Sequence, residues 1–354
     1  MSAAEIPTVL RDLLTAAGPS GNEVAPAKVF RDACSAFAEV SVDSTGSSVA
    51  RIAGRGEGHS LAIVGHIDEI GLMVTHIDDD GFLWFGGVGG WDPVILVGQR
   101  VEVETAGGVV PGVVGKKPIH LLESEEREKA PKLKHLHIDV GARDGDEARG
   151  LVSIGDVAVI AGEPVILPNG RAVSRAMDNR LGCYIAYESA RLIADAGGAP
   201  GDVYAVAVVQ EETTLGGAAT TAFSLQPDVA IAVDVGHATD APGVEEKQLG
   251  RHPLGSGAIV TRGSTLSPRL SALLLETATA EGIEHTVEAS PGRTSTDGDA
   301  FFAARGGIPT GLISIPLRYM HSPVEMVQLS DVEGCAQLIA AVAQRLTADV
   351  SFAR

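Results

Sequence analysis

Four stretches of this 354-residue chain are nearly uninterrupted apolar runs, and each ends on or shortly before a histidine or an acid. They are LAIVGHIDE (61–69), VYAVAVVQEE (203–212), VAIAVD (229–234) and TGLISIP (310–316), the last followed five residues on by His321. Read as strands of an open α/β sheet, they deliver His66, Asp68, Glu211, Glu212 and Asp234 to the carboxyl ends, outside which the ligand crevice of such sheets lies. Asp178 opens the amphipathic segment MDNRLG (177–182). His, Asp and Glu gathered repeatedly at one edge describe a site rather than a solvated surface, and this donor set points to metal-dependent hydrolysis.

Around these runs the chain changes texture twice. Residues 6–16 and 23–38 read as helices separated by the turn GPSGN, with Glu23 placed to suit a helix dipole. Strands follow near 39–43, 48–53 and 61–67. From about 71 to 167 the pattern becomes short alternating strands with many glycines and no long helix, as in QRVEVET (99–105), GVVPGVVG (108–115) and HLHIDVG (135–141). The charged stretch LLESEEREKAPKLK (121–134) reads as an exposed loop. Helix–strand alternation then returns: a helix over 178–196 with a stripe of Leu181, Ile185, Ser189 and Leu192, strands at 203–209 and 229–235, and a helix over 267–282. A last helix is expected to start at Ser330 with Glu333 in capping-box spacing. The expected architecture is a mixed α/β sheet flanked by helices, built from residues 1–70 and 165–354, with a small β-barrel-like domain inserted at 71–164.

Composition narrows the function classes. A net charge of −19 disfavours nucleic acid, whose phosphates need clustered Lys and Arg. Cys34, Cys183 and Cys335 are an odd number without CxxC spacing, against both a disulfide framework and a thiolate zinc site. MSAAEIPTVLRDLL lacks the basic and apolar regions of a signal peptide, and no apolar run reaches the ~18 residues of a membrane span. The expectation is a soluble, cytoplasmic protein with no membrane partner.

Neutral imidazole and carboxylate oxygens suit zinc, cobalt or manganese. Two such ions ~3.5–4 Å apart can share a carboxylate and a water, lowering the water's pKa. In His66-Ile67-Asp68, Asp68 is spaced to accept the second ring N–H of His66. Glu211 and Glu212 are adjacent acids at a strand end; on extended chain they would point to opposite sides, one toward metal and the other toward water as general base. Taken singly, each residue has a plain reading: a capping Asp, two solvated glutamates, a helix N-terminal Asp178, a turn at Asp234, a loop His321. Their joint occurrence carries the argument.

GHIDEIGLMV (65–74), GGWDP (89–93), RAMDNRLG (175–182), VQEE (209–212), TDGDAF (296–301) and GGIPTGLISIPLRYMHSPVEMV (306–327) closely resemble the tetrahedral, or M42-type, metallo-aminopeptidases. The resemblance spans nearly the whole chain in the right order. After the glutamates this chain reads TTLGGA (213–218), where the family usually reads close to VGLRGA. The resemblance implies two divalent ions per subunit, zinc or cobalt. Asp178 would bridge them, His66 and Asp234 would complete one ligand set, and Glu212 and His321 the other. It further implies Glu211 as catalytic base with Asp68 behind His66, a dimerising β-rich insertion, and dimers assembling into a hollow dodecamer.

The activity this implies is release of N-terminal residues from peptides with a free N-terminus. A glycoside hydrolase would use two carboxylates but give no reason for His66 and His321. A metal-dependent amidase or deacylase acting on non-peptide amides, and a non-catalytic assembly protein, are the other rivals. For side-chain preference, Arg293 or Arg318 would favour acidic residues and Phe301 with Phe302 an apolar one; Thr213, Thr214 and Phe301 are the expected wall of the site.

Overall fold

The computed structural model describes residues 5–353; residues 1–4, part of the N-terminal segment discussed above, lie outside the described residues. An eleven-stranded mixed sheet forms the larger body. At its centre Val203–Val208, Leu61–His66, Val229–His237 and Thr310–Arg318 lie side by side and parallel. Leu61–His66 is buried along its whole length, as expected where helices cover both faces of a parallel sheet. On one face pack Thr8–Thr15, Val24–Cys34, Met177–Asp195, Pro268–Glu281 and Leu329–Ala343. On the other, Gly216–Leu225 and Asp297–Ala303 cover Ala62, Val64, Val206 and Val208. Each fully buried Leu or Ile in these layers contributes about 1.5–3 kcal/mol. All three cysteines are buried and unpaired.

The sheet widens through antiparallel additions: Ser48–Ile52 and Glu39–Val42 beyond Val203–Val208, and Glu325–Gln328, Arg171–Ser174 and Val165–Leu167 beyond Thr310–Arg318. Ala258–Gly263 and His285–Ser290 branch from Thr310–Arg318 as well. Between the sheet's two chain segments lies a closed antiparallel barrel of Gly71–Ile77, Leu83–Val88, His137–Asp139, Gly108–Gly115, Arg100–Thr105 and Val157–Ile160. It has its own core, including Leu72, Val74, Leu83, Val101, Val103 and Ile138.

Local differences from the sequence reading have identifiable causes. The last helix starts at Leu329 after Gln328, and no side chain caps it; Ser330 sits inside the first turn, so the expected capping box does not form. The charged stretch 121–134 is largely exposed but carries one helical turn, Ser124–Arg127, and a 3-10 turn, Leu133–His135. The helix at 268 follows the rules closely: Ser267 Oγ accepts from the Leu270 amide, Pro268 occupies the first turn, and Gly282 ends it in the left-handed region.

Candidate metal centre

His66, at the carboxyl end of its strand, is 1% exposed. It meets Asp178 because Gly65 lets the strand press against the helix: a Cβ there would lie 2.5 Å from the Gly182 carbonyl carbon. Asp178 is not yet helical (φ −77°, ψ 104°), which corrects the reading of it as an ordinary helix N-terminal acid. Asn179 holds this non-helical entry in place, donating to the Val233 carbonyl at 2.8 Å and accepting from the Gly182 amide at 2.9 Å. Asp234 follows Val233 directly, so the same anchor brings the third residue in.

Asp178 stands between two imidazoles. Its Oδ1 lies 3.2 Å from His66 Nε2 and its Oδ2 3.3 Å from His321 Nε2. Glu212 Oε1 is 3.4 Å from the same His321 nitrogen. Two compact donor groups result, His66–Asp178–Asp234 and Asp178–Glu212–His321, sharing Asp178; His66, Glu211 and Glu212 form a third. The sequence-predicted residues thus converge on one place.

The glutamates arrive by a different route from the one expected. Gln210 adopts a left-handed conformation (φ 59°) and Glu211–Thr214 form a single helical turn, so the pair is not on extended chain. Neighbours on a helix diverge rather than oppose, and both still reach the cluster. Asp68 sets this turn: its carboxylate accepts from the Glu211 and Glu212 amides at 3.0 and 3.1 Å and from Ser20 Oγ. The Asp68 backbone carbonyl is the nearer acceptor for His66 Nδ1, at 3.2 Å against 3.5 Å to the carboxylate. Glu23 reinforces the same turn by accepting from the Gln210 amide at 3.1 Å.

Three contributors escaped the sequence reading. Glu325, 2% exposed, accepts from the Asp178 amide at 3.1 Å and the His321 amide at 2.8 Å, tying together two segments that share no local sequence. The Gly90 carbonyl of the barrel faces His321 Nδ1 at 2.9 Å and so turns Nε2 toward the cluster. Asp297, 2% exposed, has both carboxylate oxygens buried without a hydrogen-bond partner. The motifs GGWDP, TDGDAF and HSPVE contain all three, but spacing alone assigned none of them a role.

The electrostatics are those of a pocket built for cations. Burial pushes Asp234, Asp297 and Glu325 well above the ordinary carboxylate range, with neighbouring acids adding to the effect. Burial raises Glu211 to about 7, His66 opposing and Glu212 adding to it. Asp178 goes the other way: burial opposes, but hydrogen bonds from His321 and His66 outweigh it. The Asp178 and Glu212 carboxylates push His321 up to about 11. An excess of buried carboxylate, a partnerless Asp297 and two imidazoles converging on one shared carboxylate fit divalent ions. The N/O donor set without thiolate fits them too.

An open cleft leads to the cluster, its walls including Val235, His237, Glu288, Thr294, Leu312 and Met320. The expected wall is corrected. Phe301 is wholly buried in the core beneath Gly216–Leu225 and Asp297–Ala303, Phe302 lines a separate pocket, and Thr213 and Thr214 are exposed to solvent. Arg318 pairs with Asp240 and Arg293 lies by Asp299; neither lines the cleft.

A family model for the M42 glutamyl aminopeptidases matches residues 46–338. A lysyl aminopeptidase of Pyrococcus furiosus is 35% identical over 87% of each chain. Among solved structures, a TET aminopeptidase from a marine sediment Thaumarchaeota archaeon superposes with a TM-score of 0.91 at 33% identity, covering 96% of this chain and 97% of its own. A Pyrococcus horikoshii TET1 peptidase, described as assembling into a tetrahedron or a large octahedral shell, gives 0.84 at 32% identity over 95% of this chain and 98% of its own.

Proposed function

This chain belongs to the M42 glutamyl aminopeptidase family and is a peptidase of the aminopeptidase type, and we propose that its hydrolysis depends on two divalent ions bound at the shared Asp178. His66, Asp178 and Asp234 would hold one, and Asp178, Glu212 and His321 the other. The observation that carries this reading is Asp178, whose two oxygens face different imidazoles at 3.2 and 3.3 Å. Zinc and cobalt are the ions we propose for this donor set. Bound there, they supply Lewis acidity toward the scissile carbonyl and offset the negative charge that develops on it.

The chain's own groups do the rest. Glu211 takes a proton from the attacking water and returns it to the leaving amine, a role suited to a carboxylate that stands beside His66 and Glu212 in the cluster. Asp68 keeps Glu211 and Glu212 in place through their amides. The acid-rich cleft receives the free α-ammonium of a peptide. Chelation followed by reloading with zinc or cobalt, assayed on aminoacyl-anilides with free and acetylated amines, tests the reading. Loss and recovery of cleavage on free-amine substrates alone supports it, whereas cleavage of the acetylated compounds favours an amidase or deacylase.

We read residues 71–164 as a dimerising insert and dimers as building a dodecamer. The similarity to the assembling Pyrococcus horikoshii peptidase, which covers 95% of this chain, supports this. Light scattering reporting a particle of the single-chain mass, 36.4 kDa, would refute it.

A further inference from the structure

We propose that Glu288 makes this cleft selective for peptides beginning with a long cationic side chain, lysine or arginine. The inference rests on reading the cleft as the aminopeptidase site. The pairing registers fix where Glu288 stands. Asp234 pairs with Ser314, Ser314 with Ile259, and Ile259 with Thr286; two residues along, Thr261 pairs with Glu288. Because side chains alternate across a sheet, Asp234, Ser314, Leu312, Thr261 and Glu288 share one face. Ser314, Leu312 and Glu288 all line the cleft that holds the ligand cluster.

Glu288 is therefore the far acidic wall of a cleft whose near end is the metal cluster. Three strand spacings, about 14 Å, and a two-residue offset along the strands, about 7 Å, put its backbone about 16 Å from that of Asp234, an interval that its own side chain shortens. Only a long substrate side chain reaches from the cluster to Glu288 when the α-amine is held at the cluster. Thr261, itself 1% exposed, donates its hydroxyl to Glu288 Oε2 at 3.1 Å and steers the carboxylate. Among the described residues lining the cleft there is no Lys or Arg to neutralise it; His237 is the other titratable wall residue outside the cluster. Arg262, next to Thr261, falls on the opposite face by the same alternation and is exposed, and Arg293 lies 3.5 Å from Asp299. A half-buried carboxylate left without a protein cation is a recognition element for a charged partner. An acidic first residue would instead meet like charge there.

The test uses the zinc- or cobalt-loaded full chain and lysyl-, arginyl-, leucyl- and glutamyl-p-nitroanilide. The expected kcat/KM for lysyl and arginyl substrates exceeds that for leucyl by at least ~10-fold, with glutamyl lowest. Glu288→Gln should lower the lysyl-to-leucyl ratio by at least ~10-fold, chiefly through KM, and Glu288→Lys should raise the glutamyl-to-lysyl ratio. Metal content and circular dichroism matching the unmodified protein show that each variant is folded. A leucyl or glutamyl preference, or ratios unmoved by both substitutions, overturns the inference while leaving the aminopeptidase reading intact. Cleavage of none of the free-amine anilides by the loaded protein fails that reading and the inference with it.

Discussion

The two halves of the ligand cluster are built differently. The inner group, His66–Asp178–Asp234, is wholly buried; two of its members lie on central strands and the third is anchored to one through Asn179. The outer group shares Asp178 but adds Glu212 on a single helical turn and His321 on a loop, with His321 in the left-handed region at φ 58°. The His66 side chain is 2% exposed and that of His321 34%. Strand ends in a packed sheet hold their geometry through the core. The outer residues depend on borrowed contacts, the Glu325 carboxylate and the Gly90 carbonyl. Position by packing is costly to disturb, whereas position by a few hydrogen bonds can be loosened one at a time.

Several substitutions would break or sharpen this contrast. Glu211→Gln should cut kcat by at least ~10² while two ions stay bound, as expected for an acid–base group; near-normal turnover removes Glu211 from the mechanism. His66→Ala should abolish tight binding of the inner ion and destabilise the fold, because it leaves buried carboxylates uncompensated. His321→Ala should release the outer ion while thermal stability changes little. Metal analysis and calorimetry on both variants separate the halves, and equal losses of stability would erase the distinction. Glu325→Gln, which weakens the clasp on Asp178 and His321, should lower outer-ion affinity by about 10–100-fold. The smallest effect is expected from Gly90→Ala, whose Cβ would sit 3.3 Å from His321 Nδ1. It should shift outer-ion affinity alone, and an effect on the inner ion would show that the halves are not independent.

The pH dependence follows from the same groups. In the metal-free protein His321 is held up to about 11 and His66 well above its ordinary value, so both are protonated at neutral pH. Ion binding requires the neutral imidazole and must expel these protons. Raising the pH should therefore strengthen metal binding, and loading the apo-protein at pH 7 in weak buffer should acidify the solution. Affinity independent of pH between 6 and 9 would contradict this.

Legibility in the sequence divided along the same line. Apolar runs ending in His66, Glu211 and Asp234 were readable because a charged residue closing a buried strand needs a partner. The barrel was readable from its alternation and glycines. The wall of the cleft was not, because it is assembled from widely separated segments whose residues look ordinary alone. The turn at Gln210 was hidden because a non-glycine residue adopts the left-handed conformation there, imposed by Asp68 and Glu23 rather than by local preference. The Gly90 contribution is a backbone carbonyl, a group every residue possesses, so no letter marks it. Glu325 and Asp297 were visible as acids, but only tertiary contact distinguishes an acid that clasps two loops from one that faces water.

The carbonyl of Gly90 gives the barrel a second part to play. Through this peptide group the inserted body leans on an imidazole of the larger one, like a thumb resting on a valve. A partner that gripped or tilted the barrel would press on the outer ligands where the two bodies meet, at His321 through Gly90 and at Glu212 beside Gly89. The hold on the outer ligands and the seating of the barrel thus share one set of contacts.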